Sequence, residues 1–466
     1  MSVDLWKLSA KALRAGYLAK DFTAVQVVQS ILDRSAEMNP KINALVSIDN
    51  QAALDAAAAA DMTFDTQGAA APALTGIPVT TKINTDQHGK PTTNGIEAAA
   101  DAIAEHDSPP VRNLHKAGAI LFGRSNAPAF SLRWFTDNDL HGRTLNPWNP
   151  QVSPGGSSGG AAAAVAAGMG PIAQGNDYGG SIRHPAAMCG VVGLRPSTGR
   201  VAAFNPTSPS ERPISSQLFS VQGPLARCVD DAAMALDVMS AHDPRDPYQI
   251  PMSSCQTAKP PQRIAVLRSV GFADVSPAVT RGIDRAAETL TKAGIEVVEI
   301  EPPHFEEATE IWRTLVYSDV RRVALGAITE LGGHAVKTNI TDILAEMPVS
   351  SEDTLLNLYA RRLAIARAWS EFFDAYPVLL TAVSWRHGLP IDADLEGPAA
   401  LTKLIATQSP LLGTAMIGLP GLTVPIGVDA GLPVGVQLSA AMYREDLLIA
   451  TGRILEEAHA PLELPG

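Results

Sequence analysis

Cysteine is scarce in this 466-residue chain: Cys189, Cys228 and Cys255 are odd in number and scattered. They form no disulfide framework and no zinc spacing, and such thiols suit a reducing cytosol, so a cytoplasmic location is expected. Charge is thin as well. Charged residues make up 18%, the formal net charge is −12, and no basic run occurs. A nucleic-acid surface needs clustered Lys and Arg, so nucleic acid is excluded as a partner. No stretch reaches the roughly 18 uninterrupted apolar residues of a membrane span. Met1 to Ala10 holds no apolar run of the signal-peptide kind, and no membrane association is expected. The ten histidines make no pair at metal-ligand spacing, so neither metal nor cofactor is expected. Phosphate-binding Gly-x-x-x-x-Gly-Lys-Ser/Thr and Gly-x-Gly-x-x-Gly loops are absent, and so is Ser-x-x-Lys.

What is present is apolar. Hydrophobic residues make up 46%, enough for a large buried core. Thr23 is a good N-cap for a helix carrying Val27, Val28, Ile31 and Leu32, which Asn39-Pro40 should end. Ile42 to Ile48 reads as a strand, Ala52 to Ala60 as a helix and Thr63 to Ala73 as a loop. A short strand then delivers Lys82 into a polar loop, 84–95. Further helices are expected at 108–115, 161–167, 230–239, 277–293, 305–331, 353–376 and 447–458. Further strands are expected at 119–122, 171–174, 264–267, 296–300 and 378–381. Residues 222–227 read as a turn, and Pro244 to Pro261 as a Pro- and Ser-rich linker. Helices alternating with short apolar strands indicate an α/β fold with helices on both faces of a sheet.

Two serines stand in glycine clusters, Ser157 within Gly155-Gly-Ser-Ser-Gly-Gly160 and Ser181 within Asp177-Tyr-Gly-Gly-Ser-Ile-Arg183. Glycine lets another backbone approach closely, so such clusters suit N–H groups aimed at negative charge. These motifs, with Gly193-Leu-Arg-Pro-Ser-Thr-Gly-Arg200 and Lys82 at its strand end, resemble the amidase signature family. The resemblance covers most of 5–240 and again about 375–458. It implies a single large domain, 1–466, around a mixed twisted central β-sheet covered by α-helices on both faces. Within it, 1–62 would be an N-terminal helical packing segment and 63–240 the catalytic core. Residues 241–375 would be variable and substrate-shaping, and 376–466 the C-terminal part of the core.

The resemblance also assigns roles. Ser181 would be the nucleophile, Ser157 the bridging serine after a cis peptide bond from Gly156, and Lys82 the base. The N–H groups of Tyr178, Gly179, Gly180 and Ser181 would form the oxyanion hole, with Ser158, Asp177 and Arg183 in support. A charged lysine accepts no proton, but burial disfavours the ammonium, so a buried Lys82 could serve. Arg183 is expected to tie down the loop, and Ser181 to open a helix whose dipole favours negative charge. Cys189 reads as a small buried hydrophobe, His184 as a local hydrogen-bond partner, and Trp134, Phe135 and Trp385 as core or pocket wall. The chain departs from the family at Ile83, where Asp is usual, at Ala129, where Glu is common, and at Tyr178, where Thr is usual.

The implied activity is hydrolysis of an amide, anilide, carbamate or ester of a small molecule through an acyl-enzyme, by a monomer or homodimer. One alternative is the amidase component of a glutamine-dependent tRNA amidotransferase. Another is an α/β-hydrolase with Ser157 at a nucleophile elbow, which requires a strand directly before it. Asn146-Pro-Trp-Asn-Pro150 argues against that strand.

Overall fold

The computed structural model describes residues 4–252, 254–255, 258–459 and 462–463. Its spine is one mixed sheet of eleven strands. In chain order these are β1 (Leu45–Ile48), β2 (Pro78–Lys82), β3 (Ile120–Ser125), β4 (Ile172–Asp177), β5 (Val192–Arg195), β6 (Val221–Ala226), β7 (Arg263–Val266), β8 (Glu296–Glu299), β9 (Val378–Ala382), β10 (Gly421–Asp429) and β11 (Leu432–Ala440). Their spatial order is β1-β3-β2-β4-β6-β5-β10-β11-β9-β7-β8. β2 runs parallel to both β3 and β4, and every residue of β2 is buried. Although both faces are covered, β2 is not purely apolar: Thr80, Thr81 and, at its end, Lys82 are buried within it.

Helices precede and connect the strands. They begin with α1 (Ala10–Ala19), α2 (Ala24–Ile42), α3 (Asn50–Gln67), α4 (Pro109–Lys116), α5 (Gly159–Ala166), α6 (Arg183–Cys189), α7 (Ile214–Phe219) and α8 (Val229–Met239). They continue with α9 (Pro277–Lys292), α10 (Phe305–Asp319), α11 (Leu325–Leu331), α12 (His334–Ala345), α13 (Glu352–Ala375), α14 (Pro398–Thr407), α15 (Ser409–Ile417) and α16 (Glu445–Ala458). Among the described residues, no helix is long and apolar enough to cross a membrane. Carboxylates from distant helices satisfy the open N–H groups at several helix starts, a need that every helix N-terminus has. Asp231 accepts from Ala10 N at 2.7 Å, Asp61 from Ala24 N at 2.6 Å, and Glu456 from Val229 N at 2.8 Å.

Several elements depart from the sequence reading. Thr23 does cap α2, in a reciprocal box with Gln26, but the helix passes through Pro40 to Ile42. Ala36 lies on the exposed side, so water can take the carbonyl that Pro40 leaves without a donor. Asn39 then binds the N–H groups of Ala44 and Leu45 and ends the turn. The Thr63–Ala73 loop is helical as far as Gln67. Residues 222–226 belong to strand β6 rather than to a turn. β6 pairs along its whole length with β4, while β5 registers only with Ala226 and Leu225. The β5 ladder therefore stops before Pro224, and no N–H is missed there. Helix 305–331 is interrupted by a π-helical segment, 320–324. Helices α12 and α14 lie where the sequence pattern points to no helix. The expected linker, 244–261, has no helix or strand among its described residues; Ser253, Gln256 and Thr257 lie outside them.

α5 shows how the glycine clusters serve packing. Gly159 through Val165 are all buried, so the helix is apolar all round and lies inside the molecule. A Cβ on Gly160 would stand 2.6 Å from both Ala44 O and Asn126 O, and neither backbone can step aside cheaply. Gly160→Ala is expected to destabilise the fold by about 1–3 kcal/mol through overpacking. Gly271→Ala, whose added Cβ meets nothing within 4 Å, should be near neutral. Denaturant unfolding of the two variants checks the contrast.

Candidate active site

The end of β2 places Lys82 Nζ in the interior, fully buried. It lies 2.7 Å from Ser157 Oγ and 2.7 Å from Asn176 Oδ1. Burial drives its pKa well below the usual lysine value, against the opposing pull of the Asp177 charge. Ser157 follows a cis peptide bond from Gly156. Ser157 and Ser181 line one cavity of about 640 Å³ together with Asn84, Ser131, Asn176 and Tyr178. Among the described residues, Ser181 Oγ makes no direct hydrogen bond to Ser157 Oγ.

The loop after β4 is held from three sides. Trp312 Nε1 donates to Tyr178 O, and Trp134 Nε1 to Gly179 O, each at 2.9 Å. His184 N donates to Gly180 O at 2.7 Å. A peptide N–H points opposite to the carbonyl of the same plane. Anchoring three successive carbonyls therefore fixes where the N–H groups of Gly179, Gly180 and Ser181 aim. Gly180 N–H goes to Asp177 Oδ1 at 2.8 Å. Among the described residues, the N–H groups of Tyr178, Gly179 and Ser181 meet no protein acceptor, so the expected donor set narrows to these three. Gly180 sits at φ 102°, where a side chain would be strained.

Asp177 is the anchor beneath this loop. It accepts from Arg183 Nε at 2.9 Å and Arg195 Nη1 at 3.1 Å, with all three side chains buried. Ile182 N and Arg183 N also donate to it. The first N–H groups of α6 are thus turned on Asp177, and the helix starts at Arg183 rather than at Ser181. Burial alone would push the Asp177 carboxyl up; Arg183 and Arg195 outweigh that and hold it below the ordinary range. Arg183 ties the loop down as expected. Ser158 N donates to Ser181 O at 3.1 Å, and Ser158 Oγ to Asn176 O at 3.3 Å, joining the two serine loops.

Cys189 is buried, with burial pushing its thiol up. The His184 ring is not a hydrogen-bond partner. Among the described residues neither ring nitrogen finds one, and burial pulls the ring down to about 3. Phe135 and Trp385 are core, while Trp134 braces the loop after β4 at Gly179 O. Ile83 and Ala129 are buried and apolar.

The sequence reading missed Asn84, Asn176 and Ser131, which form a polar chain beside Lys82, and it missed Ser215 and Asp319. Tyr178 Oη pairs with Ser215 Oγ, which donates to Asp319 Oδ2 at 2.6 Å. Asn84 and Asn176 stand beside quoted motifs, and that adjacency is the signal that could have found them. Ser215 and Asp319 leave no local signal.

The amidase family model matches residues 26–449. This chain belongs to the amidase signature family. It is 40% identical over 464 residues to an indoleacetamide hydrolase of Bradyrhizobium diazoefficiens, covering 97% of this chain and 86% of that protein. It is 30% identical to a component of the glutamyl-tRNA(Gln) amidotransferase of Salinispora tropica, over 99% of both. Among solved structures, 6-aminohexanoate cyclic dimer hydrolase matches with a TM-score of 0.83 and 26% identity, over 98% of each chain. A bacterial aryl acylamidase matches at 0.82 and 27%, over 98% of this chain and 96% of that one. The chain is an amidohydrolase acting on carbon–nitrogen bonds. The α/β-hydrolase reading falls, since no strand leads directly into Ser157.

Removing one partner of a buried ion pair costs about 3–5 kcal/mol. Asp177→Asn should cost on that order, because it leaves two buried guanidiniums without their anion. The folded carboxyl is depressed, so its stabilisation is present above the unfolded value of about 3.9 and is lost as pH falls toward the folded value. Denaturation midpoints measured from pH 7 down to 3 should therefore fall more steeply below about pH 4 for the wild type than for Asp177→Asn.

Proposed function

We propose that this chain is a free-standing amidase, monomeric or homodimeric, that hydrolyses a small aromatic acetamide through an acyl-enzyme on Ser181. The carrying observation is the buried Lys82 Nζ at 2.7 Å from Ser157 Oγ, in a cavity that Ser181 shares. Neutral Lys82 takes the Ser157 proton as Ser157 takes that of Ser181. Ser181 Oγ then attacks the amide carbon. The N–H groups of Tyr178, Gly179 and Ser181 stabilise the oxyanion. The proton returns through Ser157 to the departing nitrogen, which leaves as ammonia or an amine. Water, activated by the same relay, releases the acid.

The substrate class rests on the 40% relative and on the cavity wall. Phe130, Leu132, Tyr178, Phe204, Val316 and Val320 present apolar surface beside the two serines. The last two come from the 241–375 segment, which supports its expected substrate-shaping role. Indole-3-acetamide is the first compound to assay. The relatives at about 30% favour a second reading, the amidase component of a tRNA amidotransferase. Turnover by a homogeneous preparation decides for the first reading; activity only after other subunits co-purify decides for the second.

Ser181→Ala should lose at least about a thousandfold in ammonia release while remaining folded. A fluorophosphonate should label Ser181 in peptide mass analysis; label on Ser157 instead would reverse the assignment.

The base sets the pH profile. Because burial lowers the Lys82 pKa, kcat/KM should rise with pH and level off, its limb lying below the free-lysine value of about 10.4. Lys82→Arg keeps the charge but gives up no proton at accessible pH. It should be as inactive on amides as Lys82→Ala. Near-normal amide turnover by Lys82→Arg would remove Lys82 from the mechanism.

A further inference from the structure

Lys82 Nζ has a second partner besides Ser157, and that partner is neutral. Asn176 Oδ1 lies 2.7 Å away. The orientation of the Asn176 amide is settled by its other end, where Nδ2 donates to Asn84 Oδ1 at 2.8 Å. Asn84 is itself fixed. Its Oδ1 also accepts from Thr85 Oγ1 at 3.2 Å, and its Nδ2 donates to Ser131 Oγ at 2.9 Å. Ser131 passes its proton on to Asn94 Oδ1 at 2.8 Å, and Asn205 Nδ2 holds Asn84 O at 2.8 Å. Turning the Asn176 amide over would set its Oδ1 against Asn84 Oδ1, two acceptors facing each other.

A neutral lysine amine has two N–H donors and one lone pair. An amide oxygen can only accept, so Asn176 Oδ1 commits one N–H. The Ser157 hydroxyl can then donate into the lone pair, which is the direction that proton abstraction requires. A carboxylate at the same place would also accept, but its charge would stabilise the ammonium and remove the base. The neighbouring position, where the family usually has Asp, is Ile83 here, buried and uncharged.

We propose that Asn176, held by Asn84, is a positioning residue that orients the Lys82 lone pair onto Ser157 without charging the lysine. This rests on the reading of Lys82 as the base. The other charged groups near Lys82 are already engaged. From β4, Asp177 is paired with Arg183 and Arg195. From β3, Arg124 directs its guanidinium to Thr81 Oγ1 and Thr85 O, each at 2.8 Å. α5 brings no charged residue.

The test is the pH profile of kcat and KM for indole-3-acetamide hydrolysis by the full chain, in Asn176→Asp, Asn176→Ser and Lys82→Ala. An opposite charge within about 4–6 Å raises a lysine pKa by about 1–3 units. In Asn176→Asp the rising limb should therefore move up by at least about one unit, with a tenfold or greater loss of kcat at pH values below the limb and with KM within about twofold. Asn176→Ser keeps a small neutral acceptor, so its limb should stay near the wild-type position while kcat falls. An Asn176→Asp limb at the wild-type pH, or a raised KM with kcat retained in either Asn176 variant, would overturn the inference; the latter would make Asn176 a substrate contact. If Asn176→Asp does not fold, an Asn176→Ser limb displaced by a unit or more overturns it. Lys82→Ala separates the two failures. Retained turnover there sinks the base assignment and this inference with it. An inactive Lys82→Ala beside an unmoved Asn176→Asp limb sinks this inference alone.

Discussion

Asp177 lies at the end of β4 with no exposure to water, and its two oxygens draw together parts of the chain far apart in sequence. Arg183 brings in α6, and through its remaining donors reaches Leu411 O at 2.9 Å, Thr414 Oγ1 at 2.7 Å and Gln437 Oε1 at 2.7 Å. Arg195 brings in β5 and reaches Phe219 O at 2.9 Å and Leu419 O at 3.1 Å. One carboxylate thus joins two neighbouring regions of the sheet to α15 and to the loop carrying Ser181. An ion cluster this deep is tolerable because nearly every donor and acceptor in it is used; left half-satisfied, it would cost more than apolar packing.

The same cluster shapes the electrostatics of Lys82. Two effects compete there: burial, which favours the neutral amine, and the Asp177 charge, which favours the ammonium. Asp177 is flanked by two guanidiniums, so its field at Lys82 is largely offset, and burial prevails. Ile83 removes the other place from which a carboxylate could act. Besides Ser157, the partner present at Lys82 Nζ is the uncharged Asn176 amide, which does not oppose the downward shift.

Legibility from sequence followed the range of the forces involved. The glycine clusters could be read because turn chemistry is local, whereas Lys82 and Ser157 were singled out by the resemblance of their motifs to the family. The Thr23 cap was local too. Pro224 misled because Gly-Pro favours a turn locally, whereas pairing with β4 is a tertiary gain that residues 222–227 do not encode alone. Pro40 misled in a similar way: an exposed carbonyl at Ala36 makes the missing N–H harmless. His184 shows the opposite failure. A histidine beside an arginine invites a polar role, and only the packed interior shows it isolated. The Asp231, Asp61 and Glu456 caps could not have been foreseen, since each joins helices separated by tens to hundreds of residues.

Helix α10, within residues 241–375, also braces the loop that carries Ser181. Trp312, in α10, holds Tyr178 O with its indole and packs edge-on against the Tyr178 ring, with centroids 5.9 Å apart. Asp319, at the end of the same helix, accepts from Ser215, which in turn meets the Tyr178 hydroxyl. Val316 lies between these two on α10 and faces the cavity. A single helix therefore lines the cavity shared by Ser157 and Ser181 and holds the backbone of the loop before Ser181. With threonine in place of Tyr178 there would be no ring for Trp312 and no hydroxyl reaching Ser215. The departure at 178 thus fastens α10 to the loop that carries Ser181, so α10 cannot shift without moving that loop's backbone.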